Sequence, residues 1–249
     1  MLRPEVRKKL DIQSAYYARL TKDLRMPDSV ILDIGANEGF IAATFLGRGH
    51  RVVAIEPDPR NIKILKARFQ GNRHFSLYPC LCGAASGSRQ FWISQSNSAF
   101  STGNLKWKRL LSEGKYHLHS HFAKDPMHIQ VTTMDEIIRI HGKIAFAKID
   151  TEGSELDCLQ GLSEKIPLLV FEANLPEFAE ESISCVLRLA AIDGGALFSY
   201  SSNFKTEGAG YLAAGEFCKL IESMQDRNID IICRMSNYKE YYGMQDELF

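Results

Sequence analysis

Short apolar runs alternate with amphipathic stretches along most of the chain. The runs are rich in valine, isoleucine, leucine and phenylalanine, which indicates buried strands, whereas apolar residues three or four positions apart indicate helices. The predicted strands cover residues 30–34, 51–56, 74–79, 90–94, 129–132, 144–150, 168–174, 196–200 and 229–233. The predicted helices cover residues 4–26, 41–46, 59–69, 135–140, 154–162, 178–191 and 215–225. This alternation predicts an α/β fold around a largely parallel sheet.

The first predicted strand ends in a glycine turn, and a helix follows it. Gly35 lets the backbone turn tightly and lets a ligand approach closely. A strand, a turn and a helix in this order form the nucleotide pocket at the carboxyl edge of many parallel sheets. Gly35 and Gly39 are spaced Gly-x-x-x-Gly, which is not the Gly-x-Gly-x-x-Gly fingerprint of dinucleotide sites. If the turn binds a ligand, the spacing favours a nucleoside without phosphates, and an ordinary strand-to-helix connection is an equal alternative for this stretch.

Acidic residues stand at or near the carboxyl ends of four predicted strands. They are Asp33, Glu56, Asp150 and Glu172. Ligands of open α/β sheets bind at this edge, so we expect the four carboxylates to converge on one crevice. Glu56 lies about 20 residues beyond the glycine turn, where an acidic side chain accepts hydrogen bonds from ribose hydroxyls. A solvated charge at the strand end is the alternative for Glu56.

Residues 95–127 are polar and show no clear period, which favours a long irregular loop of the kind that covers binding sites. His117, His119 and His121 alternate and would share one face of a strand. No carboxylate or cysteine nearby has ligand spacing, so a surface strand or loop is favoured over a metal site. The basic run at 106–109 is a weak signal for nucleic acid without a basic domain around it.

The chain ends carry fewer signals. The first helix is expected to stop at Pro27 and Asp28 and to pack outside the sheet, although Tyr16 or Tyr17 could instead cap a substrate site. Residues 133–136 form a capping box for the helix that follows. Residues 205–210 are expected to form a loop, and the tail at 237–249 has no clear period.

Composition narrows the function classes. The 249 residues carry a formal net charge of zero, so no overall field recruits nucleic acid or an anionic membrane. We find no apolar run long enough to span a bilayer. The six cysteines do not resemble a disulfide framework or a metal set, and a reducing cytoplasm is the expected location.

Four ordered motifs resemble the FkbM family of methyltransferases, which are class I, Rossmann-like enzymes that use S-adenosylmethionine. The motifs lie at residues 31–39, 54–57, 133–136 and 148–155, the last followed by Leu159-Gln160-Gly161. The resemblance covers residues 29–174. It implies a three-layer sandwich with a seven-stranded, mostly parallel sheet and an antiparallel last strand. The implied organisation is a helical extension at 1–27, a methyltransferase domain at 28–236 with an insertion at 95–128, and a tail at 237–249.

The resemblance also implies a cofactor site. Gly35, Ala36 and Asn37 would line the methionine part of S-adenosylmethionine, with Gly39 in the same motif. Glu56, followed by Pro57, would bind the ribose. The loop at 80–83, with Cys82, would lie near adenine. Asp33 and Asp150 are candidates for the methionyl ammonium or for ordering the motif loop.

The same resemblance implies methyl transfer to an acceptor that loses a proton, for which a nearby base is useful. The candidate bases are Asp150, Glu152 and Glu172, in that order. Lys148 shares a strand face with Asp150 and could hold a carboxylate or polarise the acceptor; an ion pair between Lys148 and Glu152 that supports the turn is the alternative.

The function expected from these observations is O-methylation of a hydroxyl on a sugar, polyketide or related small metabolite. Neither a metal nor a nucleic acid or membrane partner is expected, and the oligomeric state is not predicted. Two alternatives are a non-catalytic nucleoside-binding module and, less favoured, a nicotinamide-dependent oxidoreductase.

Overall fold

The computed structural model describes residues 4–24, 29–115, 119–225 and 227–242. Its helices are α1 (Pro4–Leu20), α2 (Phe40–Leu46), α3 (Pro59–Arg68), α4 (Leu105–Ser112), α5 (Met134–His141), α6 (Glu155–Gln160), α7 (Ala179–Ile192), α8 (Ala214–Ser223) and α9 (Tyr238–Tyr242). Its strands are β1 (Val30–Ile34), β2 (Arg51–Ile55), β3 (Phe75–Tyr78), β4 (Leu81–Cys82), β5 (Gly87–Phe91), β6 (Met127–Thr132), β7 (Ile144–Ile149), β8 (Leu168–Leu175), β9 (Leu197–Ser202), β10 (Lys205–Ala213) and β11 (Arg227–Arg234).

The main sheet has the order β10-β9-β11-β8-β7-β1-β2-β3. Neighbours from β8 to β3 pair in parallel, and β11 is antiparallel to both β8 and β9. The predicted α/β class and the antiparallel last strand are therefore confirmed. The chain reverses its direction of travel across the sheet between β1 and β7, which opens a crevice at their carboxyl ends.

The sheet has eight strands instead of the expected seven. Residues 205–210 are not a loop but the start of β10, which pairs antiparallel with β9. Asn203 and Phe204 join the two strands with φ angles of 49° and 61°, the left-handed pair that suits a two-residue hairpin. Edge pairing thus overrides the glycine-rich, polar composition of the segment.

Helices cover both faces of this sheet, as a three-layer sandwich requires. One face packs against α1, α2 and α9, and the other packs against α5, α6, α7 and α8. Tyr16 and Tyr17 are 3% and 1% exposed and lie in the first of these cores, so these tyrosines pack α1 on the sheet and do not cap a substrate site. Within the described ranges no helix combines the length and the apolar content needed to cross a membrane.

The first helix is shorter than expected. It ends at Leu20, where the Thr21 hydroxyl donates to the Tyr17 carbonyl at 2.8 Å. The expected stop at Pro27 and Asp28 lies outside the described residues.

The insertion is more regular than its composition indicates. It contains α4, whose first turn is capped by the Asn104 side chain accepting from the Trp107 N–H, and whose buried face carries Trp107, Leu110 and Leu111. A short 3-10 helix, Ser98–Phe100, precedes it. A small second sheet of order β4-β6-β5 flanks the insertion. The irregular loop predicted for 95–127 is therefore wrong over α4, because an asparagine cap begins the helix and its apolar stripe packs against Phe178.

Candidate functional site

A cavity of about 340 Å³ lies at the carboxyl ends of β1, β2 and β7. This volume is within the range of small-molecule and cofactor pockets. The predicted site residues that line it are Gly35, Ala36, Asn37, Glu56, Pro57, Cys82, Lys148, Asp150 and Glu152. The sheet therefore brings the turns after β1, β2 and β7 to one crevice, as the strand-end pattern predicts.

Glu56 forms the floor of one half of the cavity. It is 4% exposed. One carboxylate oxygen accepts from the Asn37 N–H at 2.7 Å, and the other accepts from the Asp58 N–H at 2.8 Å. Burial raises the pKa of Glu56 to about 7, although both N–H donors oppose this shift. Oε1 also accepts a longer hydrogen bond from the Asn61 side-chain amide at 3.4 Å, whereas Oε2 keeps capacity for another donor, so the carboxylate fits a ribose hydroxyl.

Gly35 permits a close approach between two turns of the chain. Its φ is +74°, and a Cβ built on it would lie 1.8 Å from the Asp150 carbonyl oxygen. The Gly35 and Ala36 N–H groups both donate to the Ile55 carbonyl. The contact that requires glycine is thus with the backbone of the next turn, and it holds the β1 and β7 turns side by side.

Lys148 lies between two carboxylates beneath the cavity. Its ammonium is 3.2 Å from Asp150 Oδ2 and 3.8 Å from Asp33 Oδ1, and it donates to the Gly35 carbonyl at 3.1 Å. Burial would favour the neutral amine, but Asp150 and Asp33 outweigh it and raise the pKa of Lys148. The ion pair at this turn therefore joins Lys148 to Asp33 and Asp150, not to Glu152.

Three carboxylates meet at the other half of the cavity. Asp150, Glu152 and Glu172 each offer an oxygen, and these oxygens lie within 4.8 Å of one another. Burial and then Glu172 and Asp150 raise the pKa of Glu152 well above its usual value. Burial and then Asp150 raise the pKa of Glu172 to about 8. Glu152 and Glu172 therefore retain protons near neutral pH, and the three clustered oxygens attract cations and hydrogen-bond donors.

Among the His, Cys, Asp and Glu side chains that the structure describes, these three carboxylates form the group whose oxygens lie close enough to share an ion. No histidine belongs to this group. The His119 and His121 rings pack on each other with centroids 4.8 Å apart. Neither ring lines the cavity, and His117 lies outside the described residues.

Three predicted site residues lie outside the cavity lining: Asp33, Gly39 and Glu172. Asp33 is fully buried in β1. Gly39 begins α2, where a Cβ would lie 2.5 Å from the Leu65 side chain, so helix packing accounts for it. Glu172 accepts from Asn174 and Asn228 and reaches the site through its contact with the other two carboxylates.

The segment at 80–82, which includes the short strand β4, forms one wall of the cavity. Cys82 lines the cavity, and its carbonyl accepts from the Cys158 thiol at 3.4 Å. Burial raises the pKa of Cys80 to about 12, so this thiol stays neutral. All six cysteines are free thiols.

Sequence reasoning missed several residues that line the cavity. Leu10 and Gln13 come from α1, and Arg89, Asn97 and Asp157 come from later segments. The Asn97-Ser98 pair was visible as a turn signal, but contacts such as the Arg89–Asp157 ion pair join residues that no local pattern relates.

Comparison with known proteins places this site in a family. The model of the methyltransferase FkbM domain matches residues 33–193, and no curated protein sequence matches significantly. Among solved structures, the precorrin-6y C5,15-methyltransferase from Geobacter metallireducens GS-15 is 11% identical, with a TM-score of 0.43 over 88% of this chain and 86% of that one. A TehB-like SAM-dependent methyltransferase from Corynebacterium glutamicum is 11% identical, with a TM-score of 0.44 over 93% and 96%. Because the family model spans more than half of the sequence, this chain belongs to the FkbM methyltransferase family, whose expected cofactor is S-adenosylmethionine.

Proposed function

We propose that this chain transfers a methyl group from S-adenosylmethionine to a hydroxyl of a small metabolite such as a sugar or a polyketide. The observation that carries the proposal is one cavity with a buried carboxylate, Glu56, at one half and acidic side chains, Asp150 and Glu152, at the other. Family membership supports the donor.

The residues around Glu56 fit the nucleoside part of the cofactor. Both Glu56 oxygens are held by backbone N–H groups, so the carboxylate is oriented before a ligand arrives. The turn at Gly35, Ala36 and Asn37 lines the space between Glu56 and Asp150, where the methionine part would lie. Bound S-adenosylmethionine supplies an electrophilic methyl group and leaves as a neutral thioether, so no acid is needed for departure.

The acidic half of the cavity supports the role of a base toward the acceptor. Asp150 is paired with Lys148 at 3.2 Å, so one of its oxygens is already engaged by the ammonium. Glu152 lines the cavity, and its raised pKa makes its ionised form a stronger proton acceptor. We therefore favour Glu152 as the base, with Asp150 orienting the acceptor and Lys148 balancing the charge. Methyl transfer also requires that the site exclude water and align the acceptor oxygen with the methyl group.

Calorimetric titration with S-adenosylmethionine, its demethylated product and NAD tests the donor. We expect a Kd of about micromolar for both adenosyl ligands and no binding of NAD. Glu56→Gln should weaken adenosyl binding by about 10- to 100-fold, because a charged acceptor for the ribose hydroxyls is lost. Glu38→Gln is the matched control, since Glu38 also lines the cavity but makes none of the Glu56 hydrogen bonds.

The alternatives give different results. Binding of NAD alone would favour an oxidoreductase. Tight adenosyl binding, without transfer of a labelled methyl group to any of a panel of sugar and polyketide hydroxyls, would favour the nucleoside-binding module. Absence of adenosyl binding would contradict the proposal.

A further inference from the structure

A segment of the insertion, residues 97–104, crosses the cavity from the Glu56 side to the Glu152 side; we call it the strap. On the Glu56 side, the Ser101 hydroxyl donates to Asp58 Oδ2 at 2.8 Å. Asp58 is fully buried and is also bound by Arg60, whose guanidinium donates to the Ser101 hydroxyl at 3.1 Å. The strap is therefore fixed at this end to the turn that follows β2.

At its other end the strap binds the turn that carries Glu152. The Thr102 hydroxyl donates to the Glu152 carbonyl at 2.8 Å and accepts from the Asn104 N–H at 2.9 Å. The Asn104 side-chain amide donates to the Gly153 carbonyl at 2.5 Å. Thr102 is fully buried, so its hydroxyl is shielded from water.

The turn is held from its opposite side by Glu155. One Glu155 oxygen accepts from the Thr151 N–H at 2.8 Å and from the Gly153 N–H at 3.2 Å. The strap thus binds the carbonyls of the turn and Glu155 binds its N–H groups. Glu152 itself has a φ of +57°, a left-handed conformation that costs a non-glycine residue energy and persists only where its surroundings enforce it.

Electrostatics also act against the position of Glu152. The charged groups that face it are Glu172, Asp150, Glu155 and Lys148. Three of the four are acidic, so once Glu152 is ionised, repulsion favours a turn that carries its carboxylate away from the group and into solvent. Something other than charge must hold it among the other carboxylates.

We propose that Thr102 and Asn104 are positioning residues that hold Glu152 in the acidic group at the acceptor half of the cavity. The value of this placement for methyl transfer rests on the proposed function, whereas the placement itself does not. The strap lies outside the four sequence motifs, and it links the cofactor-side turn after β2 to the acceptor-side turn after β7.

The test is a carbon-detected NMR titration of glutamate carboxyl groups in the full chain, with the Glu152 signal assigned by its loss in Glu152→Gln. Thr102→Val removes the donor and keeps the shape, so the freed turn should move the Glu152 midpoint down by about one pH unit or more. Thr102→Ser keeps the hydroxyl and should restore the midpoint. Asn104→Ser removes the hydrogen bond to the Gly153 carbonyl while keeping a helix cap. It should also lower the Glu152 midpoint, and it provides the test if Thr102→Val does not fold.

Thr21→Val is the matched control. Thr21 is also fully buried and donates to a carbonyl at 2.8 Å, but it lies after α1. It should lower the melting temperature as Thr102→Val does and leave the Glu152 midpoint in place. A wild-type midpoint in both Thr102→Val and Asn104→Ser would overturn the proposal. A shifted midpoint in a protein that binds no S-adenosylmethionine would uphold the positioning role and contradict the proposed function alone.

Discussion

At the scale of single residues, Lys148 supplies the positive charge that balances the carboxylates of Asp33 and Asp150. The side chains of Lys148 and Asp33 are 6% and 1% exposed, and the Lys148 ammonium is 3.8 Å from Asp33 Oδ1. Lys148→Met removes the counter-charge and should lower the free energy of unfolding by about 3–5 kcal/mol, because a buried carboxylate is left unpaired. Urea denaturation followed by circular dichroism measures this loss.

Two further variants make the interpretation specific. The double variant Lys148→Met with Asp33→Asn should recover much of the loss, since no buried charge remains at Asp33. Lys165→Met removes a partly exposed partner of Asp193, 3.1 Å away, and should cost only about 0–1 kcal/mol. If Lys148→Met costs no more than Lys165→Met, Lys148 does not balance a buried charge on Asp33.

Residue identity predicts some of these positions but not their surroundings. Glu56 follows from its distance beyond the glycine turn, because that spacing is set by one helix and one strand. The sequence equally marks Asp33 as unusual, but its complete burial depends on the register that places it opposite Lys148. Gln13 reaches the cavity only because of the path of α1 across the sheet, which no local pattern encodes.

At the scale of elements, the capping box of α5 is predicted and found. The Thr133 hydroxyl accepts from the Glu136 N–H at 3.1 Å, and the Glu136 carboxylate accepts from the Thr133 N–H at 3.2 Å. Thr133→Ala should lower the free energy of unfolding by about 1 kcal/mol without changing affinity for S-adenosylmethionine, because α5 does not line the cavity. Chemical denaturation and calorimetry measure the two quantities.

Ser112→Ala is a suitable comparison for that variant. The Ser112 hydroxyl donates to the Lys108 carbonyl at the end of α4, so its removal deletes a hydroxyl without deleting a cap. It should be nearly neutral. An equal loss from both variants would show that the capping geometry contributes nothing of its own.

Elements with long apolar runs or clear caps are the ones that the sequence predicts. The strands β1, β2, β7 and β8 have continuous apolar cores and were placed within a residue or two. The failures are β10, which exists through pairing with β9, and α4, which is two turns long. Both depend on tertiary partners more than on local preference.

At the scale of the whole molecule, the site is assembled from distant parts of the sequence. The turn after β1, the turn after β7 and the insertion meet only because β1 and β7 are neighbours in the sheet. The cost is an excess of buried carboxylates at one edge. Burial raises the pKa of Glu56 and of Asp230 each to about 7. Burial and then Asp150 raise the pKa of Glu172 to about 8.

This excess predicts how stability depends on pH. The pKa values of Glu56, Asp230 and Glu172 are raised above their ordinary values of 4.5, 3.8 and 4.5. Between the ordinary and the raised pKa of each group, the folded chain therefore binds more protons than the unfolded chain. Stability is then fully present below about pH 4 to 5 for these groups and is lost as pH rises through about 7 to 8. Asp193 has a pKa lowered to about 2 by hydrogen bonds from Ser236 and Lys165, and its effect falls below this window.

We therefore expect the ligand-free protein to have a higher melting temperature at about pH 5.5 than at about pH 8.5. Glu172→Gln should flatten the profile, because a neutral amide has no proton to lose, whereas Glu38→Gln should leave the slope unchanged. S-adenosylmethionine should flatten it too, since hydroxyl donors and a cationic ligand stabilise the ionised carboxylates. A profile that rises from pH 5.5 to 8.5 would mean that folding does not raise the pKa values of these carboxylates. It would contradict an unbalanced negative charge at the site that a cationic ligand could stabilise.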